Sequence, residues 1–174
     1  MRIPGLGEVT KDDGVGGYVS DELPVKVFRG EACRLILEEY DDADKDAFHE
    51  AVDNLLRADE SVLLAASSAV FMYYEQIRQY LSPSEMALLD IRVPDDVWNY
   101  VQFGKDIYII RRSRGDHRVY ASIECECAWE VEHGLQIVLR DGRSITKVGP
   151  FDGHLTYSDA FGRSDMEDVI YPAW

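Results

Sequence analysis

Positive charge is scarce in this sequence of 174 residues. Eighteen lysines and arginines face thirty-three aspartates and glutamates, so the formal net charge is −15 at pH 7. Binding to a phosphate backbone depends on Lys and Arg side chains that release its counterions, and we therefore expect no nucleic-acid partner. A charged protein partner of this chain is expected to be basic.

Long apolar runs are also absent. No window approaches the roughly 20 apolar residues that span a bilayer. The first five residues carry one charged side chain and no apolar run, which is unlike a secretion signal. We expect a cytoplasmic protein that has no membrane partner.

Cysteine is rare and odd in number, with Cys33, Cys125 and Cys127 in the whole chain. Cys125 and Cys127 are one residue apart on a predicted strand, so their side chains point to the same face without a bridge between them. Reduced thiols that pack as small apolar groups are the expected state in the cytosol.

Three kinds of pattern follow one another along the chain. Residues 1–40 hold short apolar stretches bounded by Gly, Asp or Pro and predict a β meander. Residues 41–100 are helical, with apolar side chains at the spacing that lines one side of a helix. Asp41 or Asp42 is expected to cap the first helix, and Ser82 to Glu85 predict a capping box with Pro83 at the first helical position. Residues 101–150 predict four consecutive antiparallel strands, with a tight turn at Asp141-Gly142. Residues 151–174 form a C-terminal tail, and we expect one domain over 1–174.

Segregated strand and helix patterns predict an α+β fold. We expect an antiparallel β-sheet of roughly six to eight strands with two main helices packed on one face. In the strand that begins at Val119, the odd-numbered residues form the apolar face, and Trp129 is expected to be buried at its end.

The stretch that begins at Cys125 is the most distinctive part of the chain. It reads C-E-C-A-W-E-V-E-H-G-L-Q-I-V-L-R-D-G, and K-V-G-P-F-D-G-H-L-T follows from Lys147. These motifs, W-E-x-E-H-G-L and D-G-H-L-T, resemble a family of functionally uncharacterised bacterial proteins, and the resemblance covers most of the chain. It implies no activity. Related small acidic domains resemble immunity proteins for bacterial toxins, which is an analogy.

Two predicted loops carry acids and histidines that form a candidate site. Its residues are Glu130, Glu132, His133, Asp152 and His154. A carboxylate beside an imidazole is the arrangement of a general base, but no nucleophile or anion-binding feature accompanies it. The competing interpretation is structural, with Glu130 to Gly134 as a hairpin loop in which Gly134 has a positive φ, and Asp152 to His154 as a turn pinned by side-chain hydrogen bonds.

A zinc site is the third alternative for these loops. It would combine Cys125, Cys127, His133 and His154. Zinc sites draw paired cysteines from turns with two to four intervening residues, whereas these two are one residue apart on a strand. We expect no metal and no cofactor.

The first sixty residues hold much of the negative charge, with seven basic and sixteen acidic residues and a net of 7 − 16 = −9. Asp46, Glu50 and Asp53 lie on the first predicted helix, and helix capping does not explain those beyond the first turn. The simple interpretation is that these acids form a solvated face. The more specific interpretation is that they form a partner-facing surface that steers a basic protein toward the domain.

A predicted hairpin is locally basic, with Arg111, Arg112, Arg114 and Arg118 close together. Such a cluster holds a phosphate or carboxylate ligand, or it neutralises the protein's own acids. We favour the second.

The function we expect is that of a non-enzymatic acidic protein-binding domain, in its sharper form an immunity-type inhibitor of a basic toxin. The alternative is a small hydrolase or metal-binding enzyme that uses the His133 and His154 loops. The sequence leaves the oligomeric state open.

Overall fold

A computed structural model describes residues 1–172, so the last two residues of the predicted tail lie outside it. Within this range nine strands are present: β1 (Arg2–Ile3), β2 (Gly7–Asp12), β3 (Gly17–Ser20), β4 (Leu23–Val25), β5 (Glu31–Glu38), β6 (Val101–Arg111), β7 (Val119–Cys127), β8 (Glu130–Arg140) and β9 (Ser144–Gly149). The α-helices of the same range are α1 (Lys45–Arg57), α2 (Ser61–Ile77), α3 (Pro83–Met86) and α4 (Tyr157–Phe161).

All nine strands of residues 1–172 join one sheet, in the order β1-β2-β3-β5-β6-β7-β8-β9, with β4 paired to β5 beside this row. The sheet is therefore larger than the predicted six to eight strands. The predicted antiparallel meanders are present on either side, but β5 and β6 are parallel, with Leu35 opposite Ile107. The predicted purely antiparallel sheet is wrong at this one junction.

The helical segment explains the parallel junction. Parallel neighbours need a long crossover connection, and residues 39–100 supply it between β5 and β6. A tight turn after β5 would have given the antiparallel pairing that the sequence patterns suggested.

Local signals in the helical segment are largely confirmed. Ser82 and Glu85 form the predicted capping box at the start of α3, with Pro83 as its first residue. Helix α1 begins at Lys45 and its N-cap residue is Asp44, rather than Asp41 or Asp42 as the sequence suggested. The side chain of Asp41 instead accepts a hydrogen bond from the backbone N–H of Ala43 at 2.9 Å.

The core lies between the helices and the odd-numbered face of β7. Phe48, Val52 and Leu55 of α1 belong to the same buried cluster as Ile123 and Cys125. Helix α1 contacts β6 and β7, and α2 contacts β9. No helix of the described residues has the combined length and apolar character that crossing a membrane requires.

The opposite face of β7 is covered along only part of its length. Tyr120 is buried there with Val138 of β8 and Leu155 of the C-terminal segment. The hydroxyl of Tyr157 donates to the carbonyl oxygen of Val148 at 2.7 Å, which holds this segment against β9. Further along β7, Glu124 and Glu126 are exposed.

The turn between β7 and β8 is shorter than predicted. Strand β8 begins at Glu130, so the expected loop from Glu130 to Gly134 is part of a strand, and Ala128 and Trp129 form the turn. Gly134 has the expected positive φ of 61°. A register shift lies between the pairs that Cys125 and Cys127 make with β8, and it accommodates this glycine.

Trp129 is only 1% exposed, as the strand pattern predicts. Its ring meets Tyr73 and Tyr74 of α2 edge to face, with centroid distances of 6.3 and 5.8 Å. We expect Trp129→Ala to lower the free energy of unfolding by about 3 to 5 kcal/mol, because it leaves a large cavity in the core.

Urea denaturation measures this change, and Val131→Ala in the same hairpin is the matched control. Val131 is 90% exposed, so its truncation should change the free energy of unfolding by less than about 0.5 kcal/mol. A loss below about 1 kcal/mol for Trp129→Ala would contradict its place in the core.

Candidate functional site

The predicted loop site is divided between two grooves. Glu130, Glu132 and His133 line one groove, whereas His154 lines another. The start of β8 and the segment after β9 touch through their backbones, since the N–H of Phe151 donates to the carbonyl oxygen of His133 at 3.1 Å. The two histidine side chains therefore do not share one cleft.

The first groove is an open cleft of about 1060 Å³ over β6, β7 and the start of β8. We call it the acidic groove and define it by its charged lining: Asp106, Glu124, Glu126, Glu130 and Glu132, with Lys105 and His133. The aromatic side chains in its lining include Tyr100 and Tyr108. Five acids against one lysine make this cleft strongly negative.

Glu130 organises the hairpin that forms one wall of the acidic groove. Its carboxylate accepts hydrogen bonds from the backbone N–H groups of Glu132 at 2.8 Å and His133 at 3.0 Å. The Nδ1 atom of His133 lies 3.0 Å from the same carboxylate. Tyr73 donates its hydroxyl hydrogen to the carbonyl oxygen of Gly134 at 3.0 Å, which ties the hairpin to α2.

Asp106 is neutralised within the protein. Arg34 on the neighbouring strand β5 donates two hydrogen bonds to its carboxylate, each 2.8 Å long. This bidentate geometry follows from the parallel register, which places the two residues opposite one another.

Three other carboxylates of the acidic groove are unpaired. Within residues 1–172, the side chains of Glu124, Glu126 and Glu132 have no ion-pair or hydrogen-bond partner. Glu124 and Glu126 project from the same face of β7, and Glu132 lies next to the exposed Val131. These three side chains keep their full capacity to accept hydrogen bonds from a ligand.

Asp152 has a structural partner that the sequence did not reveal. It accepts a hydrogen bond from the Nζ of Lys147 at 2.7 Å, and the side chain of Lys147 is fully buried. Burial lowers the pKa of Lys147 below its usual range, and the hydrogen bond to Asp152 opposes this shift. Gln136 accepts a second hydrogen bond from Nζ at 2.6 Å. Asp152 is thus the counter-ion of a buried lysine.

His154 belongs to the same turn as Asp152. The carboxylate of Asp152 accepts a hydrogen bond from the backbone N–H of His154 at 2.8 Å, and the Nδ1 atom of His154 lies 3.3 Å from it. This geometry matches the structural interpretation of a turn pinned by side-chain hydrogen bonds.

Three of the four arginines of the basic hairpin pair with the protein's own acids, which is the interpretation we favoured. Arg112 is 3% exposed and donates two hydrogen bonds to Asp159 at 2.8 and 2.9 Å and two to Glu167, one of them 2.8 Å long. Arg111 lies 3.0 Å from the carboxylate of Asp44, and Arg118 donates to Asp141 at 2.9 Å.

The three thiols are buried and protonated. Burial raises the pKa of Cys33 to about 11 and that of Cys127 to about 12, and it raises the pKa of Cys125 further. Zinc ligation requires thiolates, which this environment disfavours. The described residues contain no group of three or more His, Cys, Asp or Glu side chains placed to hold a metal ion.

The acids predicted to face a partner on α1 are exposed. Asp46, Glu50 and Asp53 lie on the outer side of the helix, and Asp53 pairs with Arg57 at 3.0 Å. The buried side of α1 packs toward the core face of β7, so these acids and the acidic groove lie on opposite faces of the sheet.

Sequence reasoning missed Asp106, Glu124 and Glu126 as groove residues. The signal was present in the alternation of β7, which places Glu124 and Glu126 together on its polar face. Asp106 required the parallel pairing of β5 with β6, which the strand patterns did not predict.

Asp152 offers a test of the structural assignment. We expect Asp152→Ala to lower the free energy of unfolding by about 2 kcal/mol, because it leaves the buried Lys147 without its counter-ion. The double variant Lys147→Met/Asp152→Ala should recover most of this loss, since it removes both charges. Chemical denaturation at pH 7 measures both changes, and a double variant no more stable than the single one would contradict this role.

Glu167 provides a pH-dependent test of the C-terminal segment. The hydrogen bond from Arg112 lowers the pKa of Glu167 below its usual range. The stability gained from this pairing is therefore present above the ordinary pKa of a glutamate and is lost as the pH falls through the lower, folded value.

We expect Glu167→Gln to be less stable than the wild type at pH 7 and to lose less stability between pH 7 and acid. Urea titrations of both proteins over this range compare the two slopes. Equal slopes would exclude Glu167 as a contributor to the acid sensitivity of the fold.

Comparison with known proteins places the chain in a family without revealing an activity. No curated protein and no solved structure matches it. A family model described as a domain of unknown function (DUF6985) matches residues 5–155, which is most of the chain and confirms the resemblance to an uncharacterised family. The chain therefore belongs to the DUF6985 family.

Proposed function

We propose that this protein is a non-enzymatic protein-binding domain whose acidic groove receives a basic segment of a partner. The observation that carries the proposal is the set of three unpaired carboxylates, Glu124, Glu126 and Glu132, in an open cleft. Asp106 of the same groove is by contrast paired with Arg34. Unpaired carboxylates on one concave surface favour binding of a complementary cationic surface.

The geometry of β7 favours an extended segment as the bound form. Glu124 and Glu126 are two residues apart on a strand, so their spacing of about 7 Å equals that of alternate side chains in another extended chain. Two lysines or arginines separated by one residue can therefore meet both carboxylates. The rings of Tyr100 and Tyr108 in the same lining add favourable sites for a cation.

The exposed Val131 complements the charges. It is 90% exposed beside Glu132, at the edge of the acidic groove. An apolar side chain of the partner gains contact area there, which adds affinity that salt does not screen. We expect the partner segment to be basic with at least one apolar residue.

An immunity-type inhibitor of a basic toxin is the sharper form of this proposal. A net charge of −15 steers a basic protein toward the domain and raises the association rate. Occupation of the toxin's cationic active site would follow if that site presents its lysines or arginines to the acidic groove. The acids of α1, Asp46, Glu50 and Asp53, form a second candidate surface on the other side of the sheet.

A small hydrolase or metal-binding enzyme is the alternative proposal. It is favoured by the contact of His133 with Glu130, which resembles an oriented general base. Two observations argue against an enzyme: Glu130 also accepts hydrogen bonds from two backbone N–H groups, and the thiols point to the opposite face of β7. Elemental analysis of protein purified without an affinity tag tests this alternative, because stoichiometric zinc would favour it over the binding proposal.

Two charge-matched double variants test the binding proposal. The probe is a twelve-residue peptide of alternating lysine and threonine, titrated by calorimetry at low salt. We expect Glu124→Gln/Glu126→Gln to weaken binding about tenfold, because it removes two direct ion pairs. Asp46→Asn/Glu50→Gln removes the same charge from α1 and should weaken binding less than about twofold.

The outcome separates the two acidic surfaces. Equal weakening by both double variants would show that binding follows net charge alone and would contradict the groove. If the α1 variant weakens peptide binding more than the groove variant does, the interface lies on that helix. Chemical denaturation of each variant ensures that a lost signal does not come from unfolding.

A further inference from the structure

The outer face of α2 is uncharged over most of its length. No charged residue occurs from Ser61 to Tyr74. The neighbouring helix α1 has the opposite character, since its exposed residues include Asp46, Glu50 and Arg57. A solvent-facing helix normally presents charged and polar side chains outward, so α2 departs from the rule that α1 follows.

The exposed residues of α2 that precede Glu75 are apolar or small. Leu64 is 56% exposed and Met72 is 41% exposed. Between them on the same side lie Ala65 and Ser68, which are also exposed. The exposed face therefore has a large apolar side chain toward each end and only small side chains at its centre, where a second helix can approach closely.

This pattern is symmetric about Ser68. Leu64 and Met72 lie four residues before and after it, on the same side of the helix. If two copies of α2 cross in opposite directions with their Ser68 residues adjacent, Leu64 of each copy meets Met72 of the other. A surface that matches itself after a two-fold rotation is what an isologous dimer requires.

The charges at the two ends of α2 fit the same arrangement. Asp59 and Glu60 precede the helix, whereas Glu75 in its last turn forms an ion pair with Arg78, which follows its last residue. Antiparallel crossing brings the acidic end of one copy toward this ion pair of the other. Two parallel copies would instead place acids beside acids, which is unfavourable.

We propose that this protein forms a two-fold symmetric dimer in which α2 packs antiparallel against α2 of a second copy. Each copy carries a net charge of −15, so two copies repel one another over most of their surface. The uncharged face of α2 allows contact without opposing like charges. It also buries Leu64 and Met72, which otherwise remain in water.

Sedimentation equilibrium of the full chain tests this dimer. We expect the wild type to be dimeric at about 100 µM and Leu64→Glu to raise the dissociation constant at least about 30-fold, because each dimer gains two buried charges. Leu88→Glu is the matched control, since Leu88 is 76% exposed on a different segment. Its dissociation constant should stay within about twofold of the wild type.

Three results would overturn the proposal. One is a wild type that stays monomeric at the highest concentration, another is a dimer that survives Leu64→Glu, and the third is equal weakening by Leu88→Glu. Thermal unfolding of both variants is measured in parallel. Because both replaced leucines are exposed, we expect both variants to fold.

A cysteine at the proposed axis tests the direction of packing. Ser68→Cys should give a disulfide-linked dimer in high yield under mild diamide oxidation, because position 68 meets its own copy. The native thiols Cys33, Cys125 and Cys127 are buried and provide little background. Ser61→Cys, near one end of the exposed face, should cross-link poorly in the antiparallel arrangement, and efficient cross-linking there would indicate parallel packing.

Discussion

The alternation of side chains along β7 determines both what this protein buries and what it displays. The odd-numbered side fills the core through its whole length, ending at Cys125 and Cys127. The even-numbered side is covered at Tyr120 and Ser122 but is open at Glu124 and Glu126. A strand in the middle of a sheet cannot move one face without moving the other, so the packing of the thiols fixes the position of the groove carboxylates.

The C-terminal segment covers part of the even-numbered face of β7, and this covering removes charged side chains from water, which is unfavourable unless they are paired. The C-terminal segment and its neighbours bury Lys147 and Arg112, and each buried cation needs a counter-ion. Asp152, Asp159 and Glu167 provide these partners. Part of the large acidic excess therefore neutralises cations inside the fold, and the net charge alone overstates how much acid is available to a partner.

Short-range patterns in the sequence predicted most of the elements but not their assembly. The capping box at Ser82, the positive φ at Asp141 and Gly142, and the buried face of β7 all depend on residues close in sequence. The parallel pairing of β5 with β6 joins residues about seventy positions apart, and no local pattern encodes it. The acidic groove depends on that pairing through Arg34 and Asp106, so the sequence identified only its hairpin wall.

The carboxylates near the predicted site fall into two classes, and the difference decides what each can do. Glu130 and Asp152 each accept several hydrogen bonds from their own chain, and this fixes their orientation. A general base must instead leave a lone pair free for the proton it removes. Glu124, Glu126 and Glu132 retain that capacity, but the imidazole beside the hairpin contacts Glu130. Of the acids that look most catalytic in the sequence, Glu130 and Asp152 are thus engaged in holding the fold, and the proposed binding role falls to the acids that remain free.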